Sequence, residues 1–186
     1  MNYELIEEKY KELIDLAKSY MNSIKDYEHN MSHVVDVVNY TKELLDNIDE
    51  EIDKEVSIIS AYWHDVGRMK DPLNHEKISA DMLRHEMIKR NYDETFIDKC
   101  YKAIVNHKWN MSPETIEGLL IKDADKLAWL GVNRWNECLK HNQKLDSIIS
   151  LLPDLRDKIL YFDYSRIIYD RDIVKLLKLL YENTYK

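Results

Sequence analysis

The sequence carries 7 histidines: His29, His33, His64, His75, His85, His107 and His141. Imidazole and carboxylate groups ligate divalent metals, so the first test is whether any local spacing builds a site. The stretches HEKIS at His75 and HEMIK at His85 both lack the second His of HExxH. There is no GxxxxGK[ST], no GxGxxG and no GxSxG. Zincin, phosphate-loop and serine-hydrolase chemistries lose their local signatures with them. What remains is spread along the chain. His33 stands near the start of one apolar-periodic segment, and His64 and Asp65 are adjacent at the end of the next. His75 heads a further segment, His107 ends another, and Asp123 and Asp125 lie inside a sixth. Helix ends can converge in a bundle, whose core is a place where metal sites are built. Neutral imidazole with carboxylate suits zinc, manganese, iron and nickel. Asp123 and Asp125 are two apart, about 200° in helical projection, so one point cannot face both. Spacing alone leaves open which of them faces inward.

The elements that must position these groups read as helices from end to end. Leu5, Ile6, Tyr10, Leu13, Ile14, Ala17, Tyr20 and Met21 form one stripe at helical spacing. A second helix is expected from about Met31 to about Leu45, with Val34, Val35 and Val38 in its stripe. A third begins near Glu50 and reaches Trp63, with Gly67 as a left-handed stop. Asn74 is placed to cap a fourth through about Asn91, and Asp93 starts a fifth reaching His107. Ser112 and Pro113 read as the start of a sixth that ends near Gly131. Pro153 reads as a break, and the last helix runs roughly from Ile167 to Tyr181. Short loops are expected near 67–74, 108–113 and 161–166. No repeat or linker-like stretch interrupts the pattern. The expectation is an all-α fold, one compact helical bundle spanning 1–186 as a single domain.

Composition narrows the partners. Only 3 Gly and 3 Pro argue against the turn-rich sandwiches, barrels and doubly wound sheets. A net charge of −8 without a basic run argues against nucleic acid. No apolar stretch approaches the ~20 residues of a membrane span, and a charged N-terminal stretch is not expected to act as a signal peptide. The 2 cysteines, Cys100 and Cys138, are too few for a disulfide framework. A cytoplasmic protein with reduced thiols is the expectation. An acidic protein repels phosphate at long range, so local cations would have to counter that. Arg68 and Lys70 follow the His64–Asp65 pair, and Lys126 follows Asp125.

The order His33, then WHDVG around His64 and Asp65, then ADKL around Asp125 resembles the HD-domain superfamily of metal-dependent phosphohydrolases. EHNMSHVVDVV, SAYWHDVG, NHEKISADML, AIVNHKW and DADKLAWLG each resemble an element of one bacterial branch, in order, over about residues 28–135. Helices in 136–186 are assigned to the same domain from periodicity. The resemblance implies metal ligands His33, His64, Asp65 and Asp125, and it favours Asp125 over Asp123. Asp123 is left as a capping or ligand-orienting group. It implies one or two divalent ions, from Mn, Fe, Ni, Zn, Co or Mg. His75 and His107 would complete a second metal site, or contact phosphate or supply a proton. Asp65, Arg68 and Lys126 join them as catalytic candidates. The implied activity is hydrolysis of a small phosphorylated substrate, a nucleotide being the expected class, with no nucleic acid or membrane partner. Two departures bear on the pocket wall. Ala128 stands where the branch often has an acidic residue, and Trp63 and Trp129 stand where smaller aliphatics are usual. Trp63 and Trp109 flank candidate ligands, with core packing the default for both. His29 is expected as a solvated loop residue, and His85 and His141 as surface. Two other readings stay open, a di-iron oxygenase and a non-catalytic nucleotide sensor.

Overall fold

Helical periodicity becomes helix throughout the computed structural model, which describes residues 2–26, 28–141 and 146–184. In chain order these are α1 (Tyr3–Lys9), α2 (Lys11–Asn22), α3 (Met31–Asn47), α4 (Lys54–Trp63), α5 (His75–Lys89), α6 (Glu94–Val105), α7 (Ile116–Leu127), α8 (Val132–Lys140), α9 (Asp146–Asp154) and α10 (Asp163–Thr184). Short 3-10 turns follow α4 (Val66–Met69) and α7 (Ala128–Leu130), and a π-turn follows α9 (Leu155–Ile159). Among the described residues there is no strand, and no helix is long and apolar enough to cross a membrane.

Side-chain caps decide where several helices start. Asp53 accepts from the Val56 N–H at 3.2 Å, so α4 begins at Lys54 rather than near Glu50. Thr115 accepts from the Gly118 N–H at 3.2 Å, so α7 begins after Thr115 and leaves Ser112 and Pro113 in the preceding loop. Asp93 caps α6 as expected, through the Phe96 N–H at 3.1 Å. Asn74 holds the cap position of α5 but makes no cap bond; its amide donates to Asp71 at 2.7 Å. The first stripe is two helices, broken at Tyr10 (φ −109°, ψ 19°). There the Tyr10 ring stacks on Tyr92 and Phe96, with centroids at 5.9 and 5.5 Å. Pro153 does not end its segment; it sits inside α9, and α10 starts at Asp163, before Ile167.

α4 is the buried centre, packed on α2, α3, α6 and α7. Every residue from Val56 to Trp63 is buried, as an all-round apolar helix must be. On α3 the buried stripe is Val34, Val37, Val38, Thr41, Leu44 and Leu45; Val35 faces solvent. The buried apolar residues of the described chain form one continuous cluster.

Gly67 does not act as a left-handed stop, since no glycine here has positive φ. It lets the turn after α4 touch α5. A Cβ at Gly67 would lie 2.3 Å from the His75 carbonyl oxygen and 2.7 Å from the Ser79 nitrogen. The Gly67 N–H also donates to the Ser79 hydroxyl at 2.8 Å. Gly67→Ala therefore presses on backbone, which cannot yield as a side chain tip can. The expected cost is ~1–3 kcal/mol, with displacement of His75. Denaturant unfolding and metal stoichiometry measure the two effects; wild-type values for both would refute the close-packing role.

Candidate metal centre

Four histidines and two aspartates converge where α3, α4, α5, α6 and α7 present their ends or inner faces. His33 opens α3, where Asn30 caps the Ser32 and His33 N–H groups at 2.9 and 3.3 Å. His64 and Asp65 close α4, His75 opens α5, His107 follows α6, and Asp125 lies within α7. All six are buried. The His33–His64, His64–His107 and His75–His107 ring centroids are each 5.3 Å apart, which makes one continuous chain of imidazoles.

Two ligand-like groups emerge. His33, His64 and Asp125 offer atoms within 4.8 Å of one another, and so do Asp65, His75 and His107. Asp65 joins them. Its Oδ2 lies 3.5 Å from His33 Nε2 and 3.6 Å from His64 Nε2. Its Oδ1 lies 3.1 Å from His75 Nε2 and 3.9 Å from His107 Nε2. One carboxylate thus turns an oxygen toward each histidine pair. Asp125 Oδ1 is 3.2 Å from His33 Nε2 and 3.9 Å from His64 Nε2.

The backbone sets the tautomers. His64 Nδ1 meets the Ala61 carbonyl at 2.8 Å, His75 Nδ1 the Pro72 carbonyl at 2.8 Å, and His107 Nδ1 the Ile104 carbonyl at 2.7 Å. A carbonyl only accepts, so each Nδ1 carries a proton and each Nε2 is the nitrogen turned toward the centre. His64 Nε2 meets His33 Nε2 at 3.3 Å and His75 Nε2 meets the Arg68 guanidinium at 3.5 Å, while His107 Nε2 faces the Asp65 carboxylate at 3.9 Å. His107 Nε2 and Asp65 Oδ2 are buried without a hydrogen-bond partner. Arg68 Nε is 2.8 Å from Asp65 Oδ2, but at an angle that makes no hydrogen bond. Buried polar atoms without a partner call for a cation between them, and the donor set suits a divalent metal.

Electrostatics supports that fit. Complete burial pulls the His64 pKa down to about 3, so its imidazole is neutral at neutral pH. Burial would raise the Asp65 carboxyl, but His64 and the Arg68 guanidinium hold it well below the usual carboxylate range. Asp125 is likewise held low, by Lys126 and His33 against its burial. A neutral His64 imidazole beside the ionised Asp65 and Asp125 carboxylates is the combination a metal requires of these groups.

Asp123 turns away. Its carboxylate accepts the Tyr161 N–H at 2.9 Å and the Phe162 N–H at 3.0 Å, ordering the entry to α10. That capping task shortens the loop expected at 161–166. His29 is not solvated. Its Nδ1 donates to Asp26 at 2.8 Å, and its ring meets the His33 ring edge-on at 5.7 Å. His85 and His141 are exposed.

A cavity of about 350 Å³ opens onto the centre, with His75, His107 and Asp125 at its inner end. Arg68, Lys108 and Lys126 line it as cations, and Trp109 and Trp129 as aromatics. Lys126 pairs with Asp125, and Lys108 lies 2.8 Å from the buried carboxylate of Glu76. Lys70 is exposed and borders a separate hollow with Met82 and His85. Trp63 is core, not pocket wall: it is fully buried, and its indole N–H donates to the Leu13 carbonyl at 3.1 Å. A larger hollow of about 620 Å³, among Asn30, Asn133 and Asn136, holds none of the clustered ligands.

Two residues near the centre carry no sequence signal of their own or only a faint one. Lys108 adjoins His107 as Lys126 adjoins Asp125, and that adjacency could have marked it. Arg134 is fully buried on α8, with Nη1 at 3.4 Å from His33 Nδ1 and Nη2 at 3.3 Å from His29 Nε2. Only the packing of α8 brings it there.

A family profile for the HD domain matches residues 30–130. No curated protein matches the chain significantly. Solved structures of similar fold include a predicted HD superfamily hydrolase from an uncultured Thermotogales bacterium, with TM-score 0.72 and 19% identity over 100% of this chain and 98% of that one. Bacillus subtilis YpgQ, solved in complex with ADP, has TM-score 0.69 and 16% identity over 95% of this chain and 94% of its own. Listeria innocua Lin1889 has TM-score 0.64 and 20% identity over 100% and 97% respectively.

Proposed function

The chain belongs to the HD domain family, and from that premise we propose that residues 1–186 form one metal-dependent phosphohydrolase domain acting on a small phosphorylated molecule, a nucleotide being the class favoured. The observation that carries this reading is the pair of His/Asp triads joined through the two oxygens of Asp65. His33, His64, Asp65 and Asp125 would hold one divalent ion, and His75 and His107 with Asp65 a second. The metal, when bound, supplies Lewis acidity toward water and a phosphoryl oxygen. The chain's own groups do the rest. The Nδ1–H bonds of His64, His75 and His107 hold each Nε2 on the centre. Arg68, Lys108 and Lys126 supply positive charge at the cavity in a protein of net charge −8. The ADP held by the YpgQ structure supports a nucleotide.

The test is a metal-supplemented screen of phosphomonoesters, phosphodiesters and nucleoside triphosphates, with metal content measured in parallel. Hydrolysis should vanish on chelation and return with Mn, Fe, Ni, Zn, Co or Mg. In the same assay, His75→Ala and His107→Ala should each lower stoichiometry as well as rate. Hydrolysis of none of these compounds with any metal would overturn the reading. The six-residue ligand set also suits the di-iron oxygenase reading. Bound iron after aerobic purification, with oxygen uptake on an organic substrate, would favour that instead.

A further inference from the structure

Trp109 and Trp129 follow His107 and Asp125 closely in sequence and line the outer wall of the same cavity. Both are half-buried. Their ring centroids are 5.9 Å apart with planes at 49°. That gap is too narrow for a third ring between them, which would need roughly 7 Å, twice a ~3.5 Å contact. The two indoles therefore make a corner rather than a slot, and a planar group would lie against it. The corner is held in place from behind. The Arg134 guanidinium stacks on Trp129 at 5.2 Å, and the Trp135 indole N–H donates to the Trp129 carbonyl. On the other arm, the Lys122 ammonium, nearly buried on α7, donates to the Met111 carbonyl in the loop that carries Trp109. Arg68, Lys108 and Lys126 share the cavity with the corner, and His75 and His107 lie at its inner end.

We propose that Trp109 and Trp129 form a nucleobase-binding corner that sets substrate specificity, with the phosphates directed inward to the cations and the His/Asp centre. The inference rests on the phosphohydrolase reading and names the part of the substrate those residues would select. A base offers a flat π-face to either indole whatever its sequence of donors and acceptors, so the corner selects a nucleotide over a bare phosphate chain without selecting one base strongly.

The experiment compares ATP with inorganic triphosphate, which has the same anhydride chain and no base. In Trp109→Ala and Trp129→Leu, the ratio of kcat/KM for ATP to that for triphosphate should fall ~10–100-fold, the usual consequence of removing an aromatic stacking partner. Trp129→Phe, which keeps an aromatic face, should restore most of the ratio. An unchanged ratio, whether both rates fall or neither does, would overturn the corner and leave the indoles as packing. If the wild-type protein hydrolyses neither compound, the hydrolase reading fails separately. The corner is then judged by calorimetry of ADP on metal-free protein. Binding weakened ~10-fold or more in Trp109→Ala upholds it, and equal binding or no binding to the wild type overturns it.

Discussion

Asp65→Ala is expected to lower metal content at both ligand groups at once and to abolish metal-dependent hydrolysis. The reason is its position. One oxygen is 3.5 and 3.6 Å from the His33 and His64 Nε2 atoms, and the other is 3.1 Å from His75 Nε2. Each histidine serves one group, whereas Asp65 serves two. Its loss should therefore exceed that of any single-histidine variant. It should also exceed the ~10–100-fold typical of a group that merely orients a ligand. The fold should survive, because the buried apolar cluster around α4 does not depend on this carboxylate. Elemental analysis, initial rates and far-ultraviolet circular dichroism on one preparation check all three parts. An Asp65→Ala protein that keeps wild-type metal content would show that the bridging geometry is not what binds the ion.

Asp125→Asn and Asp123→Asn should fail in different ways, although the two residues are nearly neighbours. Asp125 Oδ1 lies 3.2 Å from His33 Nε2, and the amide of Asn is a neutral and poorer ligand for a hard cation. Asp125→Asn should lose metal affinity and hydrolysis while melting near the wild type. Asp123 lies on the opposite face of α7, accepting the Tyr161 and Phe162 N–H groups. There an amide retains one accepting oxygen and sets its NH2 against a donor, at a cost of ~1–3 kcal/mol for the group left unsatisfied. Asp123→Asn should keep its metal and lose stability. Burial already raises the Asp123 pKa to about 6, against a usual value of 3.8. A carboxyl with a raised folded-state pKa contributes most stability below its unfolded pKa, and that contribution is lost as pH rises through about 6. The Asn variant should therefore show a flatter dependence of stability on pH between about 4 and 6. Metal titration and pH-dependent unfolding of both variants decide it. If Asp123→Asn loses the metal while Asp125→Asn keeps it, the facing of α7 is wrong.

The helical class was legible in the sequence because amphipathic periodicity is a local property of each segment. So were the approximate spans of α3, α5 and α6, and the order His33, His64–Asp65, Asp125. Cap chemistry is local too, but several residues compete for it. Ser112–Pro113 and Thr115 are both good helix starts, and the fold uses Thr115. Pairwise packing is not local, and it decided everything else. Gly67 reads as a helix stop, yet its task is to let the His75 carbonyl approach, a contact between two elements. Trp63 and Trp129 look alike beside candidate ligands, but the Leu13 carbonyl takes the Trp63 indole into the core and leaves Trp129 on the cavity. His29 does lie in the loop before α3, but Asp26 and Arg134 of α8 take its two ring nitrogens and leave it half-buried rather than solvated. The sequence by itself determined which side chains could ligate a metal and in what order they occur. Only the tertiary structure decided that the two oxygens of Asp65 face different histidine pairs, because that geometry depends on how α3, α4, α5 and α6 pack against one another.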